Sequence, residues 1–112
     1  MISRTEKIGD QIREVVARVI ERESNKTALI TVTRVELEER GRTATVYITV
    51  LPTTGEESAL NFLKRKRPDM KLAIKNHLSL KNIPFLDVAI DSGEKARQTI
   101  DALLSQGERE MN

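Results

Sequence analysis

Two stretches of alternating residues constrain the fold of this chain more than any other feature of its sequence. From residue 29 to residue 37, and again from residue 42 to residue 51, β-branched apolar residues alternate with threonine or tyrosine. A period of two in β-branched residues is typical of strands that bury one face. The segment between them, Glu38 to Gly41, is a short polar turn that ends in a glycine able to adopt positive φ. The sequence therefore predicts a β-hairpin whose threonine and tyrosine face is free to contact solvent.

Other segments have the periodicity of helices or of a further strand. Apolar residues at three- and four-residue steps predict helices over about 4–22, 56–67, 69–80 and 93–105, with Ser92 as the cap of the last. Residues 85–91 predict a third strand. The residues expected to face the core are Ile8, Ile12, Val15, Val16, Val19 and Ile20; Leu60 and Leu63; Met70, Ala73, Ile74, His77 and Leu78; and Ala96, Ile100, Leu103 and Leu104.

Pro68 divides what would otherwise be one long helix in the middle of the chain. Proline has no amide hydrogen, and its ring clashes with the preceding turn. It also disfavours helical dihedrals at the preceding residue, Arg67, and is well tolerated at the first position of a new helix. The sequence therefore predicts a helix, a kink at Pro68 and a second helix.

The resulting order, α-β-β-α-α-β-α, predicts an α+β fold. A hairpin followed by a crossover of roughly 30 residues implies a three-stranded sheet with helices on one face. These segment lengths match a type II K-homology (KH) domain with an added C-terminal helix. We expect residues 1–106 to form one domain and residues 107–112 to form a short flexible tail.

Charge is distributed unevenly along the chain. Residues 64–81 contain seven basic residues and one acid, for a net charge of +6, whereas the rest of the chain has 12 basic and 16 acidic residues. A local positive field on a mildly acidic body is typical of proteins that bind a polyanion. The alternative is an ordinary solvated helix end, because cations favour a helix C-terminus. The predicted RNA-binding residues are Lys64, Arg65, Lys66 and Arg67, with Lys71, Lys75 and Lys81 continuing the patch along the second helix.

Several classes of function lack the residues they need. The chain has no cysteine and one histidine, His77, so we expect no disulfide, no metal site and no cofactor, and His77 is expected at the edge of the core. Asp87 and Asp91 are read as an exposed strand position and a helix cap, because no nucleophile or histidine partner accompanies them. A single tyrosine, Tyr47, is a poor base-stacking platform. We expect a non-catalytic, monomeric, cytoplasmic protein with no signal peptide, membrane span or small-molecule substrate.

Three segments resemble the ribosome-binding factor A family in their order and spacing. They are VTRVEL at 32–37, ATVYITVL at 44–51 and LKNIPFLDVAIDS at 80–92, and with the first helix the resemblance spans nearly the whole chain. The resemblance implies a type II KH fold, binding to the immature small (30S) ribosomal subunit through its 16S rRNA, a non-enzymatic role in maturation of that rRNA, and a role in cold adaptation. It also implies that the RNA contacts centre on the helix-kink-helix.

The chain departs from the family at the kink. The family usually bends at Ala-x-Gly, where Lys66-Arg67-Pro68 stands in this sequence. Because proline donates no backbone N–H to a phosphate, side chains would have to carry the contact. The alternative function is a KH-like interaction module that binds an acidic protein partner through the edge of the hairpin.

Overall fold

Three strands and four helices follow one another in the predicted order in the computed structural model, which describes the backbone of residues 3–111 and the side chains of residues 3–105. This order confirms the predicted α+β, KH-like architecture. The elements are α1 (Arg4–Glu23), β1 (Leu29–Glu38), β2 (Thr43–Leu51), α2 (Glu56–Arg65), α3 (Arg67–His77), β3 (Phe85–Ile90) and α4 (Ser92–Met111), with short 3-10 turns at Glu39–Gly41 and Thr53–Gly55.

The sheet has the order β1-β2-β3, with β2 in the centre. Strands β1 and β2 form the predicted antiparallel hairpin, from the pair Leu29 and Leu51 to the pair Glu38 and Thr43, with a bulge between Val32 and Arg34. Strand β3 runs parallel to β2. Because parallel neighbours need a long crossover, α2 and α3 occupy the connection between these two strands.

The core lies between one face of this sheet and the apolar sides of α1, α2 and α3. Its side chains are almost all aliphatic, and burying each of the larger ones contributes about 1.5–3 kcal/mol. The fully buried members include Ile12, Val16, Val46, Ile48, Leu63, Met70 and Ile74.

One close approach fixes how α1 crosses the sheet. Gly9 is buried, and a Cβ atom added to it would lie 2.6 Å from the backbone oxygen of Val35 in β1. A gap of that size admits hydrogen but no methyl group, so Gly9 allows the helix backbone to approach the strand closely.

The expectation that the threonine face of the hairpin can be open to solvent is wrong for two of its members. Thr45 and Thr49 are only 8% and 4% exposed. Thr45 is flanked by Glu36 on β1 and Asp87 on β3, because β2 is the central strand. Thr49 lies beside α4. Short side chains in a central strand are covered by longer neighbours on both sides, which the sequence pattern of one strand cannot reveal.

Helix α4 differs from its prediction in both packing and capping. Ile100, Leu103 and Leu104, expected in the core, are 56%, 62% and 61% exposed, and Ala96, also expected there, is exposed as well. Of the two residues read as caps, Ser92 is wrong and Asp91 is confirmed, since the Asp91 Oδ1 accepts a hydrogen bond from the Glu94 N–H at 3.1 Å. The helix continues to Met111. Side chains from residue 106 onward lie outside the described part, and the flexibility of the tail stays a prediction.

Asp91 joins the start of α4 to the bulge of β1. Its Oδ2 accepts hydrogen bonds from the Thr33 hydroxyl at 2.6 Å and from the Arg34 Nε at 3.3 Å. The pKa of Asp91 is held below its ordinary value of 3.8. The largest cause is the hydrogen bond from the Thr33 hydroxyl, followed by the Glu94 N–H and the charge of Arg34, and burial opposes the shift. The charged carboxylate is therefore the form that the fold stabilises.

Acid should remove this contribution to stability. Because the folded-state pKa of Asp91 is lowered, the stabilisation is fully present above the unfolded value near 3.8 and is lost as the pH falls through the folded value. We expect Asp91→Asn to be less stable than wild type at about pH 7 and the difference to shrink towards about pH 3. Urea unfolding at both pH values measures it. Asp10→Asn, at an exposed position of α1, serves as the control, and a pH-independent difference for Asp91→Asn would contradict the prediction.

Candidate nucleic-acid interface

The break between α2 and α3 lies at Lys66, two residues before the kink predicted at Pro68. Lys66 has φ −91° and ψ 5°, and Arg67 is already the first residue of α3. Pro68 therefore lies in the first turn of α3, where amide groups have no acceptor within the helix and a missing N–H costs nothing. The expectation that Arg67 is pushed out of the helix is wrong.

Lys66 belongs to the hydrogen bonding of both helices. Its N–H donates to the backbone oxygens of Phe62 and Leu63, both at 3.1 Å, and so closes α2. Its own oxygen accepts from the Met70 N–H at 2.9 Å and so opens α3. Leu63 and Met70, on either side of the break, are fully buried. The kink is thus fixed to the core, and the exposed cations of both helices project from a rigid base.

The Lys66 side chain is engaged within the domain. Its Nζ lies 3.6 Å from a carboxylate oxygen of Glu23, at the end of α1, and 3.7 Å from one of Asp69. It also lies 5.9 Å from the centre of the Phe62 ring. These contacts partly neutralise its charge and make Lys66 a structural link between α1 and the kink.

Arg67 is held against β3, one of the two edge strands of the described sheet. Its Nε donates to the Leu86 backbone oxygen at 2.7 Å, and its Nη2 lies 3.6 Å from the Asp87 Oδ1. Its guanidinium stacks over the Phe85 ring at 4.9 Å. Asp87 is exposed as predicted, but it also offsets the charge of Arg67, so this cation is only partly available to an anion outside the domain.

The remaining predicted cations on these helices are exposed and, within the residues whose side chains are described, none lies within 4 Å of a carboxylate. Lys64 and Arg65 end α2, and Lys71 and Lys75 lie on α3. We call these four residues the kink cations. Lys81 does not continue the patch along α3, because that helix ends at His77, and it lies in the following loop.

His77 and Tyr47 are the other two predicted side chains on the domain surface. His77 is exposed rather than packed at the edge of the core, and its Nδ1 lies 2.8 Å from the Ala73 oxygen. The Tyr47 ring is half-buried beneath the Arg34 guanidinium, 4.1 Å from its centre. One face of the ring is therefore already occupied, and base stacking on it is restricted.

Sequence reasoning missed three cations that lie close to Lys81. Arg4, Arg40 and Arg42 line the same cleft as Lys81. They come from the start of α1 and from the β1–β2 turn, so no local charge run signals them. Only the folded chain brings them together.

The comparisons with known proteins agree with this fold. The family model described as ribosome-binding factor A matches residues 4–104. The chain is 29% identical over 110 residues to ribosome-binding factor A of Macrococcus caseolyticus, covering 92% of this chain and 96% of that protein. It is also 29% identical over 109 residues to that of Pseudomonas paraeruginosa, covering 93% of this chain and 85% of that protein.

Solved structures of similar shape carry the same name. The crystal structure of ribosome-binding factor A from Thermus thermophilus superposes with a TM-score of 0.70 at 23% identity, over 77% of this chain and 93% of that one. A homology model of Thermus thermophilus ribosome-binding factor A, fitted into an electron-microscopy map of a 30S complex, gives a TM-score of 0.65 at 23% identity, over 76% of this chain and 92% of that one.

The fold and the kink define a small KH-like α+β protein with exposed cations at a helix break. The chain belongs to the ribosome-binding factor A family. Among residues 3–111, every helix is too short or too polar to cross a lipid bilayer.

Proposed function

We propose that this protein binds the immature small ribosomal subunit and assists maturation of its 16S rRNA without catalysing a reaction. It would act in the cytoplasm, where ribosomes assemble, as a monomer, and we expect its loss to matter most at low temperature. Family membership supports the ribosomal partner, because a relative of the same name is fitted into a map of its 30S complex.

The observation that carries the proposal is the set of four kink cations on two helices anchored in the core. Each cation that neutralises a phosphate releases a condensed counterion, and this release supplies sequence-independent affinity for RNA. Because the helices are fixed by Leu63 and Met70, little conformational entropy of the backbone is lost on binding.

Recognition by backbone amides is disfavoured at this kink. Pro68 has no N–H, and the Asp69 carboxylate stands in the same first turn of α3, where it repels an approaching phosphate. The contact would therefore be made by long side chains that read the shape and charge of the RNA backbone rather than its sequence.

A second candidate function is binding of an acidic protein along the edge of the sheet. Strand β1 lies at the edge of the described sheet, where its outward backbone groups can pair with an added strand. Pull-down from nuclease-treated extract separates the two candidates. Partners retained after nuclease treatment favour the protein partner, and loss of all partners favours RNA.

Sedimentation of the tagged protein through a sucrose gradient tests the proposed function. We expect it to migrate with free small subunits and not with translating ribosomes. If about five phosphates are neutralised, the logarithm of the binding constant should fall with the logarithm of salt concentration with a slope near −3.5 to −4.5. Absence from the small-subunit fractions, or a slope near zero, would contradict the proposal.

A further inference from the structure

A cleft of about 640 Å³ lies on the domain between the start of α1, the β1–β2 turn and the loop from α3 to β3. The turn and the loop are joined directly, because the Phe85 N–H donates to the Arg42 oxygen at 2.8 Å. This backbone hydrogen bond therefore fixes the position of the turn relative to the loop, and with it two walls of the cleft. A volume of this order is sufficient for a nucleotide-sized ligand.

Four cations line the cleft: Arg4, Arg40, Arg42 and Lys81. No acidic side chain is among its lining residues, and in the described part of the chain none of the four lies within 4 Å of a carboxylate. This differs from the kink, where Glu23, Asp69 and Asp87 partly neutralise Lys66 and Arg67. Like charges that converge without counter-charges repel one another, and a bound anion would relieve this repulsion.

The floor of the cleft is apolar. Ile8 from α1, Leu37 from β1 and Ile83 from the loop line it and are only half-buried. An inorganic anion would gain nothing from these side chains. A ligand with both phosphates and a flat apolar ring would use the rim and the floor together, and a nucleotide whose base is unstacked from its neighbours has this composition.

The turn that carries two of the cations is held in an unusual conformation. Glu39 and Arg40 have φ of 52° and 58°, followed by Gly41 at 87°. Residues with side chains rarely adopt positive φ, and such turns persist where the surrounding structure holds them. Here the strand pair below the turn and the bond from Phe85 to Arg42 hold it, so Arg40 and Arg42 stand on a fixed turn rather than a mobile loop.

We propose that this cleft is a second RNA-binding site, which holds phosphates of a single-stranded rRNA segment on its cations and one unstacked base on its apolar floor. The proposal rests on the function proposed above and extends it. Helix α3, about 16 Å long, connects the kink to this cleft and carries Lys71 and Lys75 on its exposed side. The two sites then bind one RNA surface from opposite ends of α3.

A charge-matched pair of variants tests the cleft. The cleft variant changes Arg40, Arg42 and Lys81 to glutamine, and the control changes Arg18, Arg22 and Arg97, which lie elsewhere on the surface, in the same way. We expect the cleft variant to bind purified small subunits more weakly and to reduce the magnitude of the log-log salt slope by about 2, because about three phosphate contacts are lost. The control should change the slope much less. Equal slopes for the cleft variant and the control would overturn the proposal.

Directed cleavage of the RNA provides a readout that does not depend on affinity. The chain has no cysteine, so Asn82→Cys, in the cleft, can carry the only tethered iron chelate. Hydroxyl radicals from this chelate should then cut rRNA at a defined site. The control is the same chelate on Ala17→Cys, which is exposed on α1 and should not produce a cut at that site. If labelled protein binds small subunits and Asn82→Cys cuts nothing, the cleft assignment is wrong while the proposed function stands.

The same label distinguishes the source of the ligand. Saturable binding of uridine monophosphate that leaves rRNA cleavage undetected would assign the cleft to a free nucleotide and overturn the proposal. Cross-linking of Asn82→Cys to a ribosomal protein instead of RNA would overturn it as well. If the wild-type protein binds no small subunit at all, the proposed function fails first and the cleft with it.

Discussion

Changing Lys64, Arg65, Lys71 and Lys75 together to glutamine is expected to weaken binding to small ribosomal subunits several hundredfold at about 0.1 M salt. Each contact with a phosphate of a single strand adds about 0.7 to the magnitude of the slope of log binding constant against log salt concentration. At 0.1 M salt, relative to 1 M, one such contact therefore raises the binding constant about fivefold. Four contacts multiply to several hundredfold. Titration of labelled protein against purified subunits at three salt concentrations measures both the affinity and the slope.

The choice of these four residues follows from the contacts around the kink. Lys66 and Arg67 were predicted to bind RNA with them, but changing either one removes an ion-pair contact of Glu23 or Asp87 and would disturb the fold as well as binding. The kink cations have no such partner in the described residues, so the melting temperature of the variant should equal that of wild type. Glutamine at Arg13, Arg18, Lys26 and Arg97 is the charge-matched control, because it leaves Glu23 and Asp87 with their partners. A kink-cation variant that binds as tightly as this control would exclude the kink as an RNA site.

Gly9→Ala should destabilise the protein by about 2 kcal/mol, although alanine is the better helix former. The added Cβ would lie 2.6 Å from the Val35 oxygen, and both partners are backbone atoms of packed elements that cannot rotate away. Overpacking of this kind costs about 1–3 kcal/mol, and the gain of about 1 kcal/mol in helix propensity offsets only part of it when both elements must shift. For a chain of this size the melting temperature should fall by roughly 10 °C.

A second glycine provides the matched control for this substitution. In Gly93→Ala, at the start of α4, the new Cβ would lie 3.7 Å from the Asp91 Oδ1, which is an ordinary contact. This variant should be as stable as wild type or slightly more stable, because only the helix propensity changes. Urea unfolding of the two variants side by side measures the difference. A Gly9→Ala protein as stable as Gly93→Ala would show that α1 can move away from β1 at little cost.

Local periodicity was enough to predict the elements and their order. Alternation over two stretches identified the hairpin, and three- and four-residue steps identified the helices, because the backbone geometry of each element requires that spacing. Pro68 was enough to predict the break between α2 and α3. The predicted position of the break was displaced towards the proline, since a proline in the first turn of a helix leaves the residue before it free to be helical.

Sequence periodicity could not predict how the elements pack against one another. The apolar stripe of α4 has the same spacing as that of α1, yet Ile100 and Leu103 are exposed while Ile12 and Val16 are buried. An amphipathic pattern says that a helix has an apolar side but not whether another element covers it. In the same way, Thr45 is buried because β2 became the central strand, which depends on where β3 pairs.

The sequence by itself determined the kinds of elements, their order, the break near Pro68 and the excess of positive charge in residues 64–81. The tertiary structure decided which cations face outward, because Glu23 and Asp87 reach Lys66 and Arg67 only after α1 and β3 pack beside the kink. It also gathered Arg4, Arg40 and Arg42 around Lys81. Periodicity and backbone propensity act over a few residues, whereas the electrostatic field at a surface sums over charges that are close in space and distant along the chain.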